Sequence, residues 1–311
     1  MTELKAQDGS AASPLCFGCM QFGGTADAAA SQALYEACRG AGVNFFDTAH
    51  VYTEGAAEEL LGGFVAQESE QLIIATKAGY TGGSGRSNIL AQFDESRKRL
   101  KLDRVDILYL HRWDETTPLE ESFETLSELQ QAGAVRHIGV SNFAAWQVMK
   151  AQAVAARFGT RIDILQPMYS LVKRQAEVEI LPMALSERIA VAPYSPLGGG
   201  LLTGKYQTGG TGRLSTNERY ATRYSQPWMH ETAAALTEMA AEMGVAPATL
   251  AVAWASKNPA VTAPIISARN TEQLAPSLAA QTLALSDEAY ARIEEVSQRP
   301  ALATDRLEEA G

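Results

Sequence analysis

The chain has 311 residues, of which 46% are hydrophobic and 20% are charged, and its formal net charge is −10. This composition is ordinary for a globular protein with a sizeable core, and the length suits two domains or one large α/β barrel. The acidic balance argues against nucleic acid or an anionic membrane surface as a partner. Because we find no secretory signal and no apolar stretch near the roughly 20 residues of a membrane span, we expect a cytoplasmic protein.

Short apolar runs alternate with longer amphipathic segments along the chain. The short runs are almost continuously apolar, which is typical of parallel strands that are covered on both faces. We predict strands over residues 15–18, 43–46, 72–76, 105–110, 137–140, 162–166, 189–193 and 263–266.

Helical patterns separate these strands. The first can be capped by Asp27 and closes at residues 40–42. Others are predicted near residues 56–67, 88–100, 120–132, 144–157, 175–187 and 232–257, with further helices after 270. Eight strand–helix steps predict one domain over residues 1–311, a (β/α)8 TIM barrel with a short N-terminal extension. Residues 206–228 lack periodicity and predict a long loop after the seventh strand, which could cover a ligand.

The three cysteines do not form a disulfide or metal pattern. Cys16 and Cys19 match C-x-x-C, but a second ligand pair is missing and the histidines are distant in sequence. We therefore expect a structural role for them, and we predict no metal site.

Polar residues stand at the ends of three successive strands, where the chemistry of a barrel is placed. Asp47 follows the second strand with Tyr52 in the next loop, Lys77 follows the third strand, and His111 follows the fourth. Asp47 could simply cap the next helix, and each of the other three has an ordinary structural explanation. Together these four residues, called the tetrad below, indicate an active site.

Proton transfer to a carbonyl oxygen is the chemistry that unites the tetrad. A tyrosine with a pKa of ~10 is a poor acid, and an adjacent ammonium such as Lys77 is expected to lower that pKa. Asp47 can pair with the buried ammonium, and His111 can donate to the carbonyl oxygen. None of the four can supply hydride, so a reducing cofactor is implied.

Here the sequence resembles the aldo-keto reductases. The motifs are GVNFFDTAHVYTEGAAEELLG, IIATKAGY, ILYLHRW, VRHIGVSNF, YSPLGGGLLTGKY and PIISARNTEQL, and they extend along nearly the whole chain. The resemblance implies that Tyr52 is the general acid/base, assisted by Lys77, Asp47 and His111. It also implies a bound nicotinamide dinucleotide without a Rossmann fold, and a small aldehyde or ketone as the substrate.

The same resemblance places the nicotinamide. Ser141 and Asn142 would hold its carboxamide together with Gln166, and Tyr194 would stack on its ring. An exposed aromatic residue at this position could otherwise be ordinary surface.

The phosphates would be bound after the last two strands. Residues 199–205 spell G-x-x-x-x-G-K, but Tyr206 follows where a P-loop requires Ser or Thr, so we disfavour an NTPase. The resemblance instead brings the pyrophosphate to the backbone near Ser195, Leu197 and Gly199, and to Lys205. Ser267 and Arg269 match the contacts to the 2′-phosphate and Gln273 lies nearer the adenine, which favours NADP(H) over NAD(H). The family's usual Glu-Asn pair is replaced by Pro276 and Ser277.

The substrate opening is predicted to be walled by Phe22, Tyr80 and Trp113. Two alternatives to a carbonyl reductase remain open. One is a cofactor-binding regulatory subunit, like the channel-associated members of the family. The other is a barrel isomerase or aldolase that uses Lys77 as a Schiff base.

Overall fold

The computed structural model describes residues 2–304, 306 and 308. Its strands are β1 (Cys16–Gly18), β2 (Phe45–Asp47), β3 (Ile73–Ala78), β4 (Val105–Leu110), β5 (Val135–Ser141), β6 (Ile164–Gln166), β7 (Ala190–Val191) and β8 (Ile265–Ile266). They form one parallel sheet in the order β7-β6-β5-β4-β3-β2-β1-β8. A bridge between Tyr194 and Ile265 joins its two edges, and the predicted (β/α)8 barrel is confirmed.

Helices connect the strands and pack around the sheet. They are α1 (Ala28–Gly40), α2 (Ala56–Val65), α3 (Arg86–Leu100), α4 (Leu119–Gln131), α5 (Ala145–Arg157), α6 (Ile180–Ser186), α7 (Arg213–Thr216), α8 (Glu218–Arg223), α9 (Pro227–Glu242), α10 (Pro247–Lys257), α11 (Thr271–Leu278) and α12 (Asp287–Glu295). The predicted cap of α1 is confirmed, because the Asp27 carboxylate accepts a hydrogen bond from the Ala30 amide at 2.8 Å.

Three segments differ from the prediction. The helix predicted over residues 175–187 is divided into a 3-10 turn (Gln175–Glu177) and α6, which begins only at Ile180. Residues 232–257 do not form one helix, because Gly244 takes a φ of 67° and Pro247 begins a new helix, α10. The long connection predicted after the seventh strand is present, but residues 206–228 contain the short helices α7 and α8. The Asn217 side chain caps α8 by accepting a hydrogen bond from the Tyr220 amide. This capping residue is a helix signal in the sequence, but the segment was read as a loop because its periodicity is weak.

The buried apolar residues form an inner and an outer cluster. The inner cluster fills the barrel, and its strand members alternate with residues of the outer cluster, which packs under the helices. This alternation is the two-residue period of a strand, and it fixes which side chain of each strand points into the barrel.

The N-terminal extension belongs to the inner cluster. Leu4 and Ala6 are buried there, and a bridge pairs Lys5 with Ala11. The Thr2 amide also donates to the carbonyl of Arg188 at 2.7 Å, just before β7. These contacts hold the extension against the end of the barrel opposite the strand C-termini. Within the described residues, no helix combines the length and apolar content needed to cross a bilayer.

Candidate active site

Three members of the tetrad continue the inward-facing positions of their strands. The inner cluster contains Phe45, Ala75 and Tyr109, and the residues two positions further along are Asp47, Lys77 and His111. Because the strand period is two, these polar side chains form the next layer at the mouth of the barrel. The alternation that builds the core therefore also positions the polar layer.

A network of short contacts centres on the Lys77 ammonium. Its Nζ atom donates to Asp47 Oδ1 at 2.5 Å, to the Thr48 carbonyl at 2.6 Å and to the Tyr52 hydroxyl at 3.3 Å. Gln166 Nε2 donates to the other oxygen of Asp47 at 2.8 Å. Asp47 thus holds Lys77 and does not cap the helix that follows. The contact made by Gln166 is with Asp47, a role that the sequence had not indicated.

Tyr52 comes from a loop with an unusual backbone. It begins a 3-10 turn in which Thr53 and Glu54 take φ values of 45° and 55°, a left-handed region that is costly for such residues. The turn is fastened because Thr53 Oγ1 donates to the Phe22 carbonyl at 2.8 Å and Arg99 donates to the His50 carbonyl at 3.0 Å. These contacts hold the Tyr52 hydroxyl beside Lys77.

The pKa of Tyr52 departs from the prediction. Burial raises it above its ordinary value, and the opposing positive charge of Lys77 does not overcome that effect. The prediction considered Lys77 without the desolvation of the phenol, which disfavours the phenolate more strongly here. Tyr52 therefore keeps its proton at neutral pH, and Lys77 reduces the cost of giving that proton up.

Lys77 itself remains charged. Burial by itself lowers the pKa of an ammonium, but Asp47 and Tyr52 more than compensate, and the pKa of Lys77 is raised. The positive charge is therefore a fixed feature of the site.

The ring of His111 packs against two tyrosine rings of the site. Its ring centroid is 5.8 Å from that of Tyr52 and 4.8 Å from that of Tyr80. Burial, with the charges of Lys77 and Arg112, lowers the pKa of His111 to about 3, so the ring is neutral at pH 7. Its Nδ1 atom is buried and lacks a hydrogen-bond partner among the described residues. A neutral imidazole can donate a hydrogen bond to a substrate oxygen without giving up a proton.

This low pKa gives a pH prediction. Between the ordinary histidine value of about 6.5 and the folded value of about 3, the unfolded chain binds a proton that the folded chain does not. Stability therefore decreases as pH falls through this range, and His111 accounts for about 2 kcal/mol of that loss between pH 7 and pH 5. The free energy of unfolding in urea should therefore fall by about 2 kcal/mol less between pH 7 and pH 5 in His111→Gln than in the unaltered protein. An equal loss in both proteins would contradict the assignment.

A cavity of about 890 Å³ opens above the tetrad. Its walls include Asp47, Tyr52 and His111, whereas Lys77 is fully buried beneath it. Every residue that the sequence suggested for cofactor binding also lines the cavity, namely Ser141, Asn142, Gln166, Tyr194, Ser195, Leu197, Gly199, Lys205, Ser267, Arg269 and Gln273. The structure thus brings the suggested residues to one place.

The residues suggested for the nicotinamide are joined by hydrogen bonds. The Tyr194 hydroxyl donates to Asn142 Oδ1 at 2.8 Å, and Asn142 Nδ2 donates to the His111 carbonyl at 2.9 Å. Asn142 and Ser195 both have positive φ values, 58° and 62°, so this part of the site is built from strained backbone.

The residues suggested for the phosphates fit an anion. Burial and the charges of Arg269 and Arg213 lower the pKa of Lys205, as expected for a group of cations without an anion between them. Ser267 Oγ is buried and makes no hydrogen bond within the described part of the chain. Gly199 begins no P-loop helix, because residues 198–203 form a 3-10 segment in which it has a φ of 65°. This donor set suits the phosphates of a dinucleotide.

The predicted substrate wall is partly wrong. Tyr80 lines the cavity, but Phe22 is fully buried against Phe17 and Phe64, and Trp113 packs on Phe143 and Trp146. Met20 and Gln21, which the sequence reasoning did not name, take their place, together with Arg219, Tyr220 and Arg223 of the segment 206–228 that was predicted to cover a ligand. The arginine-rich segment of α7 and α8 was the available signal for three of these residues.

The three cysteines are placed as buried structural residues. Cys16, Cys19 and Cys38 are free and buried, and burial raises the pKa of each thiol. Among residues 2–304, 306 and 308, no three His, Cys, Asp or Glu side chains are grouped as metal ligands.

Comparison with known proteins agrees with this geometry. The model of the Aldo/keto reductase family matches residues 14–298. A probable voltage-gated potassium channel subunit beta of Oryza sativa subsp. japonica is 34% identical, covering 94% of this chain and 95% of its own. An uncharacterized oxidoreductase, YrpG of Bacillus subtilis, is 33% identical over 93% of each chain. Norsolorinic acid reductase stcV of Emericella nidulans is 34% identical, covering 91% of this chain and 78% of its own. The family model matches most of the chain, and the barrel and the residues at its mouth agree with that match. The chain therefore belongs to the aldo/keto reductase family.

Proposed function

We propose that this protein reduces aldehydes or ketones to alcohols with NADP(H), and that Tyr52 supplies the proton. The observation that carries the proposal is the Tyr52 hydroxyl, 3.3 Å from a buried ammonium at the wall of a cavity of about 890 Å³. The family membership and the reductase named among the relatives support the reaction class.

Each tetrad residue has a distinct task in this mechanism. A reduced nicotinamide held in this cavity would supply the hydride for the carbonyl carbon. Neutral His111 donates a hydrogen bond to the carbonyl oxygen and orients it toward Tyr52, which gives its proton to the developing oxyanion. Lys77 stabilises the phenolate that remains, and Asp47 keeps Lys77 charged and in place.

The residues that would hold the cofactor come from the ends of four strands. Ser141, Asn142 and Tyr194 would hold the nicotinamide with Gln166, although Gln166 also donates to Asp47. Lys205 and the backbone of Ser195, Leu197 and Gly199 would meet the pyrophosphate, with Ser267 and Arg269 at the 2′-phosphate and Gln273 at the adenine.

The preference for NADPH can be tested through Arg269. Because a charge-assisted hydrogen bond contributes about 1.5–3 kcal/mol, Arg269→Ala should raise the KM for NADPH by roughly 10-fold or more. The KM for NADH should change by less than about 2-fold, since NADH has no 2′-phosphate to lose. Steady-state kinetics with both cofactors measure this, and equal effects on the two would reject the role of Arg269.

A second candidate function is a regulatory subunit that binds the cofactor with little turnover. The rice relative named as a channel subunit favours it. A panel of aldehydes and ketones with NADPH and NADH side by side separates the two functions. Tight cofactor binding without turnover across the panel would support the regulator, whereas turnover supports the reductase.

The aldolase alternative is disfavoured by the state of Lys77. A Schiff base requires a neutral amine that the substrate can reach, whereas Lys77 is buried, charged and bound by three oxygen atoms. Borohydride should therefore fail to trap a carbonyl substrate on this lysine.

A further inference from the structure

The cavity is strongly basic in a protein whose net charge is −10. Among the described residues that line it, Asp47 is the only carboxylate, and it is already bound by Lys77 and Gln166. The lining cations are Arg112, Lys205, Arg213, Arg219, Arg223 and Arg269. Because low-dielectric walls concentrate this charge, the cavity favours anionic molecules.

Three of these six cations belong to the part of the cavity that is proposed to bind the cofactor phosphates. The charges of Arg213 and Arg269 both act on Lys205, and Ser267 lines the same cavity. These groups suffice to meet the phosphates of the dinucleotide. They leave three lining arginines, Arg112, Arg219 and Arg223, without an assigned partner. Two of these, Arg112 and Arg223, lie over the rings of Tyr80 and Tyr220, which line the cavity with the tetrad.

The first of these, Arg112, follows His111 directly. Its guanidinium lies 5.0 Å from the centroid of the Tyr80 ring, and that ring is 4.8 Å from the ring of His111. One aromatic ring therefore separates the Arg112 cation from the imidazole that would hold the carbonyl oxygen.

The second, Arg223, is the last residue of α8. Its guanidinium lies 5.4 Å from the centroid of the Tyr220 ring, and its charge acts on the phenol of Tyr194. Gly199 brings α8 close to the cavity wall, since a Cβ atom at this glycine would lie 2.8 Å from the ring of Tyr220. Arg223 is thus held at the cavity by the packing of α8.

Neither arginine has an acidic partner. In the part of the chain that the structure describes, neither Arg112 nor Arg223 forms an ion pair or a hydrogen bond, and each instead lies over a tyrosine ring. Stacking leaves the edge of a guanidinium, which carries its N–H groups, available to an anion.

We propose that the carbonyl substrate carries a carboxylate, and that Arg112 and Arg223 bind it while the carbonyl group lies between Tyr52 and His111. This inference rests on the proposed reductase function and names its substrate class. A planar carboxylate matches the paired N–H donors of a guanidinium, and two arginines from different elements would position the far end of the substrate.

The test compares 4-carboxybenzaldehyde with its methyl ester, which lacks the negative charge and carries one additional methyl group, and it uses this protein with NADPH. We expect kcat/KM to be at least about 10-fold higher for the acid, as a charge-assisted contact allows. Arg223→Gln and Arg112→Gln should each raise the KM for the acid by about 10-fold or more, with kcat little changed. The ester should respond by less than about 2-fold, and Arg223→Lys should recover part of the affinity for the acid.

The controls separate this inference from the function on which it rests. Arg157→Gln removes an exposed cation of α5 that pairs with Glu120 and should leave both aldehydes unaffected. If the variants change both aldehydes equally, or raise the KM for NADPH instead, the carboxylate role is overturned while the reductase function stands. If the unaltered protein reduces neither these aldehydes nor any of the panel, the proposed function fails and takes this inference with it.

Discussion

Replacing Tyr52 with phenylalanine is expected to lower kcat by at least ~100-fold, the scale of a lost general acid. Phenylalanine keeps the ring beside His111 and removes only the hydroxyl that lies 3.3 Å from Lys77. The oxyanion would then have to take its proton from water. NADPH oxidation with an aldehyde that the unaltered protein reduces measures the effect.

The same variant should still bind the cofactor. The dissociation constant for NADPH, measured by quenching of tryptophan fluorescence, should change by less than about 3-fold, because the lost hydroxyl is assigned to the chemical step. Tyr290→Phe is a matched control, since this tyrosine stacks on Trp254 and does not line the cavity. Near-normal turnover in Tyr52→Phe would refute the assignment of the proton donor.

Replacing Lys77 with methionine should destabilise the protein by about 3–5 kcal/mol, because it leaves a buried carboxylate without its counter-charge. Lys77 and Asp47 are both almost completely buried, and their ion pair is 2.5 Å long. Urea unfolding at pH 7 would measure the loss. Turnover should fall as well, since the phenolate of Tyr52 would lose its stabilising charge.

A double variant distinguishes electrostatics from packing. Lys77→Met combined with Asp47→Asn removes both charges and leaves an amide that can still accept from Gln166, so it should be more stable than Lys77→Met alone. Activity should stay low in both, because neither contains the ammonium. A double variant no more stable than the single one would show that the loss arises from packing around residue 77.

Much of the site could be predicted because strand geometry is local. The two-residue period that buries Phe45, Ala75 and Tyr109 also determines that Asp47, Lys77 and His111 face the barrel mouth. Parallel strands bring their C-terminal ends to one face, so residues distant in sequence meet without any knowledge of loop structure. Ser141 and Gln166, which the resemblance to the aldo-keto reductases suggested, are the last residues of β5 and β6 and so lie at the same face.

Loops and burial were less predictable from the chain alone. Helices α7 and α8 are only four and six residues long, too short for a periodic signal. Phe22 and Trp113 were assigned to the substrate wall by their residue type and neighbourhood in sequence. Tertiary packing instead turned them toward aromatic partners in or beside the core.

The sequence by itself thus determined the barrel and the identity of the tetrad, because both follow from the repeating pattern of strands and from residues at their ends. Only the tertiary structure decided three further properties. It set the pKa of Tyr52, since desolvation depends on every neighbour that excludes water. It placed Gln166 so that its side-chain amide donates a hydrogen bond to Asp47. It also brought Arg223, on a short helix distant in sequence, to the same cavity as Arg112. These properties depend on long-range packing, which the local periodicity of a chain does not encode.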